Sequence, residues 1–269
     1  MSTLPFPCSA LALSSTGFQS AVDSLGVDPA TVWAMLSVET LGRGFLPDRR
    51  PQILFERHIF HRLTGGQWDQ SNPDISNALA GNYGPSGAAQ YPRLGSAAAL
   101  NQEAALKSAS WGLGQVMGEN FAVAGFADVG SMVAAMAASE DAQLAAVVGF
   151  VAANGLDKAL QDQDWAGYAR GYNGASYAKN SYDTKLAQTY ATLKVGTAVP
   201  DLTVRTAQLY LLFLGYNPQG VDGQVGSHTL TALHNFQSAS NLALTPGIDD
   251  GVVAALTAAL PAAADLSLT

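Results

Sequence analysis

Ser37-Val38-Glu39-Thr40-Leu41-Gly42-Arg43-Gly44-Phe45 sets one carboxylate at the end of an apolar helical run, with two glycines close behind it. The run itself, residues 30–40, carries Val32, Trp33, Met35, Leu36 and Val38. Asp28-Pro29 ahead of it supplies a cap and a proline suited to the first helical position. Glu39 therefore falls in the last turn of a buried helix, and Gly42 and Gly44 stop that helix. An apolar setting there raises a carboxyl pKa and fits the group to donate a proton. The competing reading is an ordinary glutamate at an exposed helix end. A second carboxylate, Glu56, comes 17 residues later in Phe55-Glu56-Arg57-His58. It follows a short strand candidate, residues 52–55, where an unpaired charge is costly. It is either used chemically or paired with Arg57.

Outward from that stretch, the sequence is long and apolar enough for sizeable cores. Of 269 residues, 48% are hydrophobic and 13% charged, which excludes a disordered chain. Abundant alanine and few β-branched runs favour helix. The net charge is -8, and residues 1–199 hold 12 of the 13 basic and 16 of the 21 acidic residues, so both parts are acidic. Neither has the basic surplus of a nucleic-acid binder, and no basic amphipathic segment suggests membrane attack. The single cysteine, Cys8, allows no internal disulfide and has no activating base beside it in sequence. No basic n-region precedes the short Ala10-Leu11-Ala12-Leu13 run, and no apolar run reaches the roughly 18 residues of a membrane span. The expectation is a protein made in the cytoplasm without a signal peptide.

Helices are predicted over residues 14–25, 30–40, 57–63 and 97–109, then near 129–138, 140–154, 157–160 and 182–193. Residues 64–95 are rich in Gly and Pro and read as irregular, a length that usually lines a site. Ser110-Trp111-Gly112-Leu113-Gly114-Gln115-Val116-Met117-Gly118 and Tyr168-Ala169-Arg170-Gly171-Tyr172-Asn173-Gly174 read as glycine-rich interruptions. Residues 195–200 read as a linker. Beyond it, three short helices near 204–214, 229–240 and 249–260 make a small bundle. The expected division is 1–194, 195–200 and 201–269.

Tyr83, Tyr91, Tyr172 and Tyr177 lie among glycines with Asn82, Gln90, Gln115 and Asn173. Flat aromatic faces and planar amides suit sugars, and loop packing is the alternative. His58 and His61 share a helix face, but HExxH is absent and no third ligand is spaced for a metal. No metal or other cofactor is expected.

Together the motifs reach a family. Gly44-Phe45-Leu46-Pro47-Asp48, Arg50-Pro51-x-Ile53-Leu54-Phe55-Glu56-Arg57-His58-x-Phe60, the stretch 110–118 and Ala169–Gly174 resemble the N-acetylmuramidase domain of phage endolysins, over roughly residues 10–194. More distantly, the Glu, Gly-Leu-x-Gln and Tyr-Asn set resembles goose-type lysozymes and lytic transglycosylases, with Thr40 where a serine often follows the glutamate. The resemblance implies a mostly α protein whose lysozyme-like α+β catalytic domain has a small β element. It implies Glu39 as general acid, Glu56 at the same cleft, and Tyr83, Gln115, Tyr172 and Asn173 as substrate-binding. Whether Glu56 positions water or only orients substrate stays open. Residues 201–269 resemble the three-helix peptidoglycan-binding module through Gln208, Leu214-Gly215-Tyr216, Val221-Asp222-Gly223-x-x-Gly226, Thr229 and Phe236-Gln237. There Tyr216, Asp222, Gly223 and Gly226 are the wall-binding candidates. The second half-repeat has Pro246 at the aspartate position.

The implied activity is cleavage of the β-1,4 bond between N-acetylmuramic acid and N-acetylglucosamine. The partner is bacterial peptidoglycan; no nucleic acid and no membrane insertion are expected, and the protein is read as a monomer. It would reach periplasmic peptidoglycan through a holin. The rival readings are a lytic transglycosylase giving 1,6-anhydro products and a non-enzymatic wall-binding or virion structural protein.

Overall fold

In the computed structural model, residues 3–40, 42–175, 177–196 and 199–269 are described. Leu41 and the side chains of Glu39 and Thr40 lie outside the described residues. The described elements run β1 (Thr3–Pro7), α1 (Ser15–Leu25), α2 (Pro29–Thr40), β2 (Ile53–Phe55), α3 (Arg57–Leu63), α4 (Gln90–Leu100), α5 (Gln102–Lys107), β3 (Ala109–Trp111) and β4 (Val116–Met117). They continue with α6 (Val129–Ala138), α7 (Glu140–Ala153), α8 (Asp157–Gln161), α9 (Trp165–Asn173), α10 (Tyr182–Val195), α11 (Leu202–Phe213), α12 (Ser227–Ala239), α13 (Asp250–Ala259) and β5 (Asp265–Ser267). The mostly α class with small sheets is as the sequence implies.

The chain forms two compact units, each discontinuous: Met1–Leu11, Gly44–Ala153 and Ala263–Thr269 in the first, Ala12–Arg43 and Asn154–Ala262 in the second. These units cut the chain differently from the expected division at 195–200. One reason is the antiparallel pairing of β1 with β5, which sets Leu4 opposite Leu266. Leu4, Leu266 and Leu268 are all buried there. Pro5 and Pro7 obscure this strand in the sequence; a two-stranded edge tolerates them because it needs few ladder donors.

In the first unit, β2, β3 and β4 form an antiparallel sheet in which Ile53 faces Trp111 and Phe55 faces Ala109. Its core gathers Phe55, Phe60, Leu94, Trp111, Met132 and Met136, each 0% exposed. Each such Phe, Leu or Met side chain contributes about 1.5–3 kcal/mol by leaving water. Strand β3 replaces the end of the helix predicted over 97–109. Asn101 breaks that helix by capping α5, its Oδ1 accepting the Ala104 N–H at 3.0 Å. Helix α4 starts at Gln90, inside the stretch expected to be irregular. Pro92 is its third residue, where a missing N–H removes no helical bond. At Gly95 a Cβ would stand 2.2 Å from the Leu268 carbonyl oxygen, so the glycine serves close packing.

In the second unit, Ser14 caps α1 through the Gly17 N–H, and Gly26 ends it in the left-handed conformation, as its sequence predicts. Asp28 caps α2 by accepting the Thr31 N–H at 2.9 Å. Its other oxygen accepts from Tyr190 and Lys194 of α10, both at 3.1 Å. Helix α10 packs along α2, and Phe18 stacks on Trp33 with ring centroids 4.7 Å apart. The Tyr168–Asn173 motif is helical rather than an interruption. Asp164 caps α9 through the Gly167 N–H at 2.9 Å. Gly171 lies where a Cβ would meet the Leu156 side chain at 2.2 Å.

Candidate active site

In the first unit, Glu56 occupies the junction of β2 and α3. Its N–H donates to the Ser108 carbonyl at 2.8 Å, extending the β2–β3 ladder. Its carbonyl accepts from Ile59 and Phe60, opening α3. The backbone is thus held from both sides and the carboxylate projects from a fixed point. The side chain is 16% exposed. Burial pushes its carboxyl above the ordinary glutamate value, partly opposed by His58, Tyr83 and Arg93. His58 Nδ1 lies 3.1 Å from Glu56 Oε2. The two atoms lack the alignment of a hydrogen bond. The Tyr83 hydroxyl interacts electrostatically with the Glu56 carboxylate. Burial, and then that carboxylate, push the Tyr83 hydroxyl pKa up.

Arg57, the expected partner of Glu56, points elsewhere: its Nε donates to the Leu79 carbonyl at 3.0 Å. The sequence also missed what holds Tyr83 in place. Gln90 is 0% exposed. Its Oε1 accepts the Phe55 N–H at 3.1 Å, and its Nε2 donates to the carbonyls of Tyr83 at 2.8 Å and Pro85 at 2.7 Å. Arg93, one turn along α4, donates to the carbonyls of Tyr83 and Asp74. Gln90 is therefore no sugar-facing amide. It clamps the 83–85 loop beside Glu56. Tyr91 is buried too, its hydroxyl donating to the Pro51 carbonyl at 2.9 Å.

Gln115 sits at the turn between β3 and β4 with φ of +51°. Its Oε1 accepts the Ser110 hydroxyl at 2.9 Å, and its Nε2 donates to the carbonyls of Gly112 at 2.9 Å and Gln52 at 3.2 Å. The Gln115 amide hydrogens thus close the turn. The neighbouring glycines have a similar cause. Helix α7 sends Glu140 and Gln143, 0% and 1% exposed, between two loops. Glu140 accepts the Gly44 N–H at 2.8 Å. Gln143 accepts the Leu113 N–H at 2.7 Å and donates to the Met136 carbonyl at 2.8 Å. A Cβ at Gly44 or Gly112 would stand 1.8 or 2.6 Å from the Gln143 carboxamide. A buried acid in an alanine-rich segment was the available signal for Glu140.

His61 pairs with Asp69 at 2.8 Å, and Asp48 closes a turn by accepting the Arg50 N–H at 3.1 Å. Among the described residues no group of three His, Cys, Asp or Glu side chains is arranged for a metal.

In the second unit, the backbone of Glu39 belongs to the last turn of α2. Tyr172 and Asn173 end α9, and the Tyr172 ring stacks on Tyr168 with centroids 5.3 Å apart. In the three-helix module, Gln208 is 1% exposed. Its Oε1 accepts the Gly223 N–H at 2.8 Å, and its Nε2 reaches Asp222 at 2.8 Å, the Gln224 carbonyl at 3.0 Å and Thr229 at 3.1 Å. Gly223 has φ of +71°, and a Cβ there would stand 2.7 Å from the Asp201 nitrogen. Tyr216 packs edge-on against Phe236 at 5.8 Å, while Gly226 caps α12 with open space around it. Asp222 and Gly223 therefore build the loop, and Asp222 is also exposed. The half-repeat reappears at Gln237, which bonds both the N–H and the hydroxyl of Thr245. Thr245, one residue before Pro246, is the partner of Gln237 as Asp222 is of Gln208.

Residues 28–194 match the N-acetylmuramidase family, well over half of the chain. The chain belongs to that family. Residues 201–256 of this muramidase match the peptidoglycan binding domain. A crystal structure of Burkholderia AP3 phage endolysin is 42% identical, with a TM-score of 0.63, over 68% of this chain and 71% of that one. No curated protein matches. The muramidase is thus a glycoside hydrolase acting on peptidoglycan and carrying a peptidoglycan-binding domain. No described helix is long and apolar enough to cross a membrane.

Proposed function

We propose that this muramidase cleaves the β-1,4 bond between N-acetylmuramic acid and N-acetylglucosamine, with Glu39 as general acid. The observation that carries the reading is the family match over residues 28–194, which includes Glu39 at the close of its apolar helix. Glu39 donates its proton to the leaving glycosidic oxygen, and water adds to the anomeric carbon. Glu56, half-buried beside Tyr83 and His58, orients that water or the substrate. No cofactor takes part. Tyr83, Tyr172 and Asn173 bind substrate, with Gln115 shaping the turn next to its own strand pair. The module of residues 201–269 holds the enzyme on the wall through Tyr216 and the loop of Asp222, Gly223 and Gly226, raising the local substrate concentration. The protein acts as a monomer. It is made in a host cytoplasm and released to periplasmic peptidoglycan through a holin, as a phage lysin is.

The test is Glu39→Gln, assayed on purified peptidoglycan beside the parent. The variant is expected to bind wall and keep its fold but release no soluble fragments. Clearing by that variant refutes the acid assignment. Mass spectrometry of the parent digest decides the product: a hydrated reducing end supports hydrolysis, whereas a mass lower by one water means a transglycosylase.

A further inference from the structure

Arg205, on α11 of the peptidoglycan-binding module, is 1% exposed. Its Nε donates to the Gly42 carbonyl oxygen at 3.1 Å, and its Nη2 donates to the same oxygen. Gly42 lies three residues past Glu39, just beyond the end of α2. It adopts φ of +80°, and a Cβ there would stand 3.0 Å from the Val221 carbonyl oxygen. Val221 is itself buried, in the loop that carries Asp222 and Gly223. Two parts of the binding module therefore close on the turn behind the catalytic helix.

The chemistry of the contact is specific. Burying a guanidinium is costly unless acceptors replace its water. Gly42 lies two residues beyond the end of α2, and its carbonyl is a loop acceptor. A planar cation with several donors satisfies such an oxygen from two nitrogens at once, which an ammonium does less well. Gly42 adopts the left-handed backbone that glycine takes without strain, and Arg205 holds its carbonyl there.

We propose that Arg205 is a positioning residue for the muramidase reaction. By fixing the Gly42 turn it fixes the end of the helix that carries Glu39, so the wall-binding module also sets the aim of the acid. The proposal rests on Glu39 being that acid. A misplacement of about 1 Å in a reacting group costs on the order of 100-fold in rate, and losing this anchor acts through kcat.

The experiment uses full-length protein and soluble glycan strands released from peptidoglycan, on which tethering to an insoluble wall has no effect. Arg205→Met keeps the aliphatic stem and bulk without the donors. Arg205→Lys keeps the charge and a single nitrogen. Thermal unfolding and pull-down on insoluble wall are run on both. Arg205→Met is expected to lose roughly 10- to 100-fold in kcat with KM within about twofold, beyond any share explained by unfolded protein, while its wall binding stays at parental level. Arg205→Lys is expected to recover part of the loss. Parental kcat in folded Arg205→Met overturns the proposal, as does a loss that only tracks the unfolded fraction. If Arg205→Met does not fold, parental kcat in Arg205→Lys overturns it. Glu39→Gln separates the two assignments. If it is inert while the Arg205 variants run at parental kcat, only the positioning role falls. If it is active, the acid assignment falls and the positioning role falls with it.

Discussion

Replacing Gln143 with leucine removes a buried amide while roughly preserving its volume, and the structure sets the size of the effect. Two backbone groups lose their partners: the Leu113 N–H, bonded at 2.7 Å, and the Met136 carbonyl, bonded at 2.8 Å. Gln143 is 1% exposed, so water is not expected to replace it without rearrangement. An orphaned buried donor or acceptor costs about 1–3 kcal/mol, so the pair costs about 2–6 kcal/mol. Leucine also branches where Gly44 and Gly112 leave room only for a flat carboxamide, which moves the value towards the upper end. For a protein of this size about 2–4 °C of melting temperature goes with each kcal/mol, giving a fall of about 4–24 °C. Urea unfolding followed by circular dichroism measures it, with the slope m expected to stay constant. A loss below about 1 kcal/mol refutes the reasoning, because it would mean the two orphaned groups find other partners freely. A cycle with Gly44→Ala sharpens the test. The alanine methyl meets the Gln143 carboxamide at 1.8 Å, so Gly44→Ala should cost less in a Gln143→Ala background, by about 0.5–3 kcal/mol of coupling.

In the binding module, Gln208→Leu strips the Gly223 N–H and Asp222 of a shared partner; retention on purified peptidoglycan in a pull-down should fall together with the module's melting temperature. Burial pushes the Cys8 thiol up to about 11, so alkylation by iodoacetamide near pH 8, about three units below that value, should be slow in native protein and rise at least tenfold in urea, where the pKa returns to about 8.5. Equal rates in the two states would show that the thiol is accessible. The Tyr83 hydroxyl lowers the Glu56 pKa against the effect of burial, so Tyr83→Phe should raise that pKa further. If Glu56 works ionised, the acidic limb of the pH–activity profile then moves to higher pH; an unmoved limb removes its ionisation from the rate.

The parts of the fold legible in the sequence were those fixed by local chemistry. Ser14, Asp28 and Gly26 mark helix ends because caps and left-handed glycines act within a few residues. The misread segments were decided by distant partners. Residues 109–111 carry Ala, Ser and Trp, which have no shared preference; they become a strand because Ile53–Phe55 lies opposite. Gly167 and Gly171 look like helix breakers, yet α9 runs through them, since the cap at Asp164 and the Leu156 side chain occupy the space a Cβ would need. The terminal strands pair residues more than 250 positions apart, beyond the reach of any local pattern.

The candidate site divides along the same line. Glu56 was visible because a charge after an apolar strand is anomalous, but its surroundings were not, since Arg57 is its neighbour only in sequence. The groups that face it come from α3 through His58, from the 83–85 loop through Tyr83 and from α4 through Arg93. The motif glycines were legible as motif and illegible as mechanism. Gly44 and Gly112 are 68 residues apart and answer to one side chain, Gln143, that no motif includes. Glycine is required there because the carboxamide of α7 lies against both loops; α7 in turn satisfies their buried N–H groups, Gln143 accepting from Leu113 and Glu140 from Gly44. These two glycines therefore record the insertion of one helix. Gly44→Ala should accordingly be tolerated better where Gln143 is replaced by a smaller residue.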